Sequence, residues 1–262
     1  MKEAMQKDAT PVGPGHFVWY ELFTTDPEAA AGFYGHVVGW SAQPAPDGHG
    51  HTLFGSGQGP LAVSTTLPEP VRQMGVPPYW TSHVLVADVD ATAALAKQLG
   101  GRVYVEPVEV PGMGRFAVVA DPFGAVLSLC ALTSPMPERD RSRPGEICWH
   151  DLFCEDHEVA LAFYCRLFGW KLRSDLDLGP MGRYALFGDQ ERDLGGMFTK
   201  PKDMPYSAWN YYVQVGDLDA ALARALEKGA AVLSGPMAIP GGAHVAVLKD
   251  PQGAGFCLHQ NP

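Results

Sequence analysis

The segment beginning at Trp19, WYELFTTDPEAAAGFYGHVVGW, returns as WHDLFCEDHEVALAFYCRLFGW from Trp149. At a shift of 130 positions Trp19 meets Trp149, Leu22 meets Leu152, Phe23 meets Phe153 and Asp26 meets Asp156. Phe33-Tyr34 likewise meets Phe163-Tyr164, and Gly39-Trp40 meets Gly169-Trp170. A second block returns at a shift of 129: Val86-x-Asp88-x-Asp90-Ala91 becomes Val215-x-Asp217-x-Asp219-Ala220. Asp121-Pro122-x-Gly124-Ala125 becomes Asp250-Pro251-x-Gly253-Ala254 at the same shift. Matches at nearly constant spacing over most of a chain mark a tandem duplication. The 262 residues therefore divide into two domains of about 120 residues, an ordinary domain size. The expected bounds are 15–132 and 146–262. The linker is 133–145 (TSPMPERDRSRPG), polar and with three prolines. Residues 1–14, polar and carrying Pro and Gly, are expected to be a flexible arm.

Each half divides again. HFVWYELFTT alternates and is rich in aromatics, a strand pattern. Asp26-Pro27 then supplies an N-cap and a first-turn proline, and PEAAAGFYGHVV carries helix formers up to Gly39. The plan repeats with YWTSHVLVAD as strand, Asp88 as cap and ATAALAKQLGG as helix. GRVYVEP, GRFAVVAD and AVLSLCAL follow as strands. A shift of 62 lays Asp26 on Asp88 and Glu21 on His83. The fold class is therefore α+β, with four β-α-β-β-β modules, two per domain.

Composition narrows the function. Apolar residues at 46% and charged residues at 18% suit a packed core rather than disorder. A net charge of −10 with 19 Lys and Arg offers no basic stripe for nucleic acid or an anionic membrane. No apolar run reaches the ~18 residues that span a bilayer, and the first 15 residues lack a secretory apolar region. Five cysteines without a CxxC pair argue against a disulfide framework or structural zinc. The expectation is a cytoplasmic protein with a small-molecule partner. GSGQG at 55–59 and PGG at 240–242 lack the setting of a nucleotide-binding loop.

The strand–Asp–helix–Phe-Tyr–x4–Gly-Trp openings at Asp26–Trp40 and Asp156–Trp170, with the closings Asp121-Pro-Phe-Gly-Ala and Asp250-Pro-Gln-Gly-Ala, resemble the vicinal oxygen chelate superfamily. That superfamily includes glyoxalase I, bleomycin-resistance proteins, fosfomycin-resistance enzymes and extradiol dioxygenases. The chain looks like its tandem, hydroxylase-like members. The resemblance implies two paired modules per domain forming an open cup. In catalytic members the cup holds a divalent metal on His and Glu from equivalent strand positions. One ligand lies seven residues before the helix-capping Asp, where this chain has Trp19, Thr81, Trp149 and Asn210. Another follows the Asp-Pro-x-Gly turn, where it has Ser128 and Cys257. The remaining place aligns best with Ser64 and Met197. These side chains do not suit a divalent cation, so no metal or other cofactor is expected.

Two residues beyond the first-strand places stand Glu21, His83, Asp151 and Tyr212. Alternation points them into the cups. Glu21 and His83 sit at equivalent places in paired modules. They read as a general acid/base pair, as an atypical metal site, or as a hydrogen-bonded pair joining the modules. Trp19, Phe23, Trp149 and Phe153 should face the cups as an apolar lining or fill them as core. Cys257, His259 and Asp151 are a nucleophilic set only if spacing brings them together; a buried thiol is the commoner fate.

The expected ligand-binding set is thus Trp19, Glu21, Phe23, Ser64, Thr81, His83 and Ser128 in the first domain. In the second it is Trp149, Asp151, Asn210, Tyr212 and Cys257. The leading function is a metal-free cup binding an aromatic metabolite or antibiotic. The alternatives are an enzyme of the lyase, hydroxylase or dioxygenase type using Glu21 and His83, and a scaffold with filled cups. Because a tandem copy mimics a dimer, both a monomer and a homodimer fit.

Overall fold

The computed structural model describes residues 11–46 and 48–262. The first half runs β1 (Phe17–Thr24), α1 (Pro27–Val38), β2 (Ser41–Pro44), β3 (Thr52–Ser56), β4 (Gly59–Thr66) and a short α2 (Glu69–Gln73). It continues with β5 (Tyr79–Leu85), α3 (Val89–Gln98), β6 (Arg102–Val110), β7 (Gly114–Ala120) and β8 (Val126–Leu132). The second half runs β9 (Ile147–Cys154), α4 (His157–Phe168), β10 (Lys171–Asp177), β11 (Arg183–Gly188) and β12 (Asp193–Thr199). It closes with β13 (Ala208–Gln214), α5 (Leu218–Glu227), β14 (Ala231–Ala238), β15 (His244–Lys249) and β16 (Gly255–Gln260).

Each half forms its own open eight-stranded sheet, ordered β2-β3-β4-β1-β5-β8-β7-β6 and β10-β11-β12-β9-β13-β16-β15-β14. The modules therefore pair within a half, through the antiparallel seams β1–β5 and β9–β13. Local chemistry sets each module. The Asp26 carboxylate accepts the Ala29 N–H at 2.9 Å, which caps α1. Gly39, at φ 77°, ends it in the left-handed conformation that a side chain rarely adopts. Asp156 and Gly169 repeat both devices around α4.

One apolar core runs through both halves, because the helical faces of the sheets meet: α1 packs on α5, and α3 on α4. Repeat-equivalent residues cross this seam reciprocally. The Tyr34 hydroxyl donates to Asp250 at 3.0 Å, and Tyr164 donates to Asp121 at 3.4 Å. Trp40 Nε1 donates to the Gly145 carbonyl at 2.6 Å, and Trp170 Nε1 to that of Gly15 at 2.7 Å. On β1 and β9, Tyr20 meets His150 at 2.7 Å. The His150 Nδ1 lies 2.8 Å from the Leu194 carbonyl, which can only accept. Nδ1 therefore carries the proton, and Nε2 accepts from Tyr20. Burial holds this imidazole neutral, well below its usual pKa.

The N-terminal segment is anchored where it is described. Pro11 bridges to Pro137, the Val12 N–H donates to the Met136 carbonyl, and His16 reaches Asp189 of the other half at 2.8 Å. From residue 11 the backbone of the expected arm is thus paired with the linker; residues 1–10 lie outside the described residues. The linker is fixed too. Arg139 bonds Glu146 and the carbonyls of Gly59 and Pro60. Among the described residues no helix is long and apolar enough to cross a membrane.

Candidate functional site

In β1 the side chains of Phe17, Tyr20 and Leu22 join the core. The alternate residues Trp19, Glu21 and Phe23 stand on the opposite, open face of the sheet. Across β5 they pair with His83, Thr81 and Tyr79, and Ser128 of β8 lies beside His83. Trp19, Glu21, Phe23, Thr81, His83 and Ser128 are thereby gathered in the first cup.

Ser64 is not among them. It is in register with core-facing Leu22 and is fully buried on the helical side. Its neighbour Thr65 faces the cup instead, and its hydroxyl donates to Glu21 Oε1 at 2.9 Å. Met197 turns into the core for the same reason, beside Leu152. A one-residue slip reverses the face of a strand residue, and β4 runs parallel to β1, so its register was not fixed by a hairpin turn.

The structure brings Glu21 and His83 together, with Oε2 and Nε2 3.6 Å apart and side chains 20% and 14% exposed. That separation is an ion-pair contact, longer than a hydrogen bond. Both His83 ring nitrogens are buried without a hydrogen-bond partner among the described residues. Phe116 sets its ring edge-on to the imidazole with centroids 6.0 Å apart, and Phe23 stacks on Tyr79 at 5.1 Å. Burial, reinforced by the charge of Glu21, pushes the Tyr79 hydroxyl up to about 12. The first cup thus presents aromatic walls and a polar floor with unused hydrogen-bonding capacity.

The second cup uses the same positions differently. Asp151 accepts from the Tyr184 hydroxyl at 2.7 Å, the Tyr212 hydroxyl at 2.7 Å and Trp149 Nε1 at 3.0 Å. Trp149 also donates to Tyr184 at 2.7 Å. Burial raises the Asp151 carboxyl to about 6, opposed by these donors. Tyr184 reaches it because Gly196 leaves space: a Cβ there would lie 1.9 Å from the tyrosine ring. Cys257 and Tyr212 form an apolar cluster with Val245, flanked by Trp149, Met237 and Ile239. Asn210 pairs with Asp151 across the β9–β13 seam. The nucleophilic set does not assemble. Burial holds the Cys257 thiol protonated, well above its usual pKa, and His259 Nδ1 engages Gln214 at 2.8 Å.

Neither donor set fits a divalent metal held in the superfamily's manner. Trp19, Thr81 and Ser128, and in the second cup Trp149, Asn210 and Cys257, replace the expected imidazoles and carboxylates. Among the described residues no three His, Cys, Asp or Glu side chains converge.

Sequence reasoning missed Thr65, Phe116 and Tyr184. Thr65 was recoverable from alternation along β4. Tyr184 was signalled only by the paired glycines at 195 and 196, which make room for rings of the neighbouring strand.

The model of the Glyoxalase/Bleomycin resistance protein/Dioxygenase superfamily matches residues 14–129 and again 146–258. The chain is 30% identical over 242 residues to "Putative glyoxylase CFP32" of Mycobacterium tuberculosis (strain CDC 1551 / Oshkosh), covering 92% of each. It is 31% identical to the anthracycline biosynthesis protein DauV of Streptomyces sp. (strain C5), over 95% of this chain and 94% of that one. In fold it is similar to the 2,2',3-trihydroxybiphenyl 1,2-dioxygenase of Sphingomonas wittichii strain RW1, with TM-score 0.69 and 12% identity over 95% of this chain and 91% of that one. The chain belongs to the Glyoxalase/Bleomycin resistance protein/Dioxygenase superfamily, as a tandem α+β member with one cup per repeat.

Proposed function

We propose that the first cup binds a planar, hydroxylated small molecule without a metal. Glu21 and His83 hold its polar edge and move its proton where it carries an acidic one. The observation that carries this reading is His83: an imidazole whose two nitrogens are buried without a hydrogen-bond partner among the described residues, beside a carboxylate, in an aromatic cup. Leaving such groups unpaired costs about 1–3 kcal/mol each, a cost a bound hydroxyl or carbonyl would relieve. Trp19, Phe23 and Phe116 supply ring faces for a flat ligand. The Glu21 carboxylate orients the imidazole, and Thr65 orients Glu21. The second cup, with its carboxylate already satisfied, serves as structure. Because the paired seam is completed within one chain, we propose a monomer, and a cytoplasmic one in keeping with five unbridged cysteines.

The likeness to anthracycline biosynthesis proteins makes a hydroxyanthraquinone the first ligand to titrate. Quenching of Trp19 fluorescence should report saturable binding, weakened at least about tenfold in His83→Ala, the equivalent of one lost hydrogen bond to a charged group. Trp149→Phe should bind as the parent does. Equal affinity in His83→Ala and the parent would remove the reading.

A further inference from the structure

Away from both cups, a cavity of about 30 Å³ opens on the seam between the halves. Its walls come from six separate segments of chain: Val12, the start of β1, Leu61, the linker from Met136 to Arg141, Glu146 with Ile147 at the start of β9, and Arg192. Three arginines line it, and two of them are neutralised. Arg139 bonds Glu146 at 2.6 Å. Arg192 pairs with Glu138, with Asp189 3.9 Å away. Arg141 has no hydrogen-bond or ion-pair partner among the described residues. The lining therefore carries three guanidinium groups against two carboxylates, Glu138 and Glu146, in a chain whose net charge is −10. The cavity holds about one or two water-sized groups, and Tyr20 of the buried Tyr20–His150 pair forms part of its wall.

We propose that this cavity is a binding site for a small monoanion, a halide or a short carboxylate, held by Arg141. A guanidinium half-withdrawn from water without a counter-charge is an unbalanced cation, and its fork of N–H donors suits one small acceptor. Since the walls come from both halves, the anion ties the N-terminal segment, the linker and the second sheet together, and its binding adds to the stability of the folded chain.

The test is thermal melting of the full chain at constant ionic strength, with chloride or acetate replacing the bulkier gluconate. A saturable rise in midpoint of about 3–8 °C is expected for a chain of this size. It should vanish in Arg141→Gln and persist in Arg143→Gln, whose side chain is exposed. If Arg141→Gln fails to fold, broadening of the chloride-35 resonance by the parent, reversed by acetate, reads the same site. The proposal is overturned if neither anion shifts the parent's midpoint, or if Arg141→Gln responds as the parent does.

Discussion

Replacing Asp151 with Asn should change how stability depends on pH, by an amount the second cup makes calculable. The Asp151 carboxyl moves from 3.8 to about 6 on folding, driven by burial, and the residue is only 4% exposed. The folded state therefore binds this proton more tightly than the unfolded state does. Its contribution is full below about pH 4 and is lost as pH rises through about 6. The whole step corresponds to about 3 kcal/mol. Asparagine is close in shape and does not titrate. Its carbonyl can accept from Trp149 and Tyr184, and its amide can donate to the Tyr212 oxygen. All other titrating groups are shared by the two proteins and cancel in the difference. Urea unfolding at pH 4, 5, 6 and 7.5 should show Asp151→Asn gaining on the parent by about 2.5 kcal/mol across that range, most of the whole step. Parallel stability profiles would refute the argument, because they would mean that Asp151 titrates as an ordinary carboxylate.

Gly196→Ala should destabilise the chain by more than about 3 kcal/mol in the same assay. The new methyl expels the Tyr184 ring and breaks its bonds to Asp151 and Trp149. Tyr34→Phe should cost about 2 kcal/mol, since it strands the buried Asp250 oxygen and the Trp80 indole N–H; an unchanged unfolding midpoint would contradict the seam. Protein purified in metal-free buffers should contain no stoichiometric Fe, Mn, Ni or Zn by mass spectrometry, and a chelator should leave ligand binding unaltered. A metal retained at one per chain would show that the cups recruit ligands other than those aligned here.

The repeat made the architecture legible. Two sets of matched Asp, Gly-Trp and Asp-Pro-x-Gly signals mark helix starts, helix ends and the turn before the last strand, all features of local backbone chemistry. Glu21, His83, Asp151 and Tyr212 were legible as cup residues because the strand period of two holds between each of them and the position two residues before it, clear of the register shifts at Phe17/Trp19 and Tyr212/Val213. Ser64 was misplaced because a single residue of register separates the two faces of β4. Tyr184 was signalled only indirectly, since what brings it into the cup is the missing side chain of Gly196 on the next strand. The arm and linker read as tethers from their prolines and charges. The ion pair that joins the linker to the second half, Arg192 with Glu138, links residues 54 positions apart.

The duplication also provides an internal control on the first cup. Glu21 and His83 occupy the places that Asp151 and Tyr212 occupy in the second repeat. There the acid and its partner close to 2.7 Å, and two further donors complete the shell. Here the same positions stand 3.6 Å apart, and the imidazole has no hydrogen bond among the described residues. Val63, in register with Glu21, stands where the second repeat has Gly196, so its side chain occupies the space that a ring like Tyr184 would need. A common backbone thus carries one self-satisfied cluster and one left open. Stability alone would favour closing both, because unpartnered buried polar groups are destabilising. The open set is therefore the ground for the proposal that a ligand completes it, in keeping with the tendency of proteins to break local rules at their functional sites.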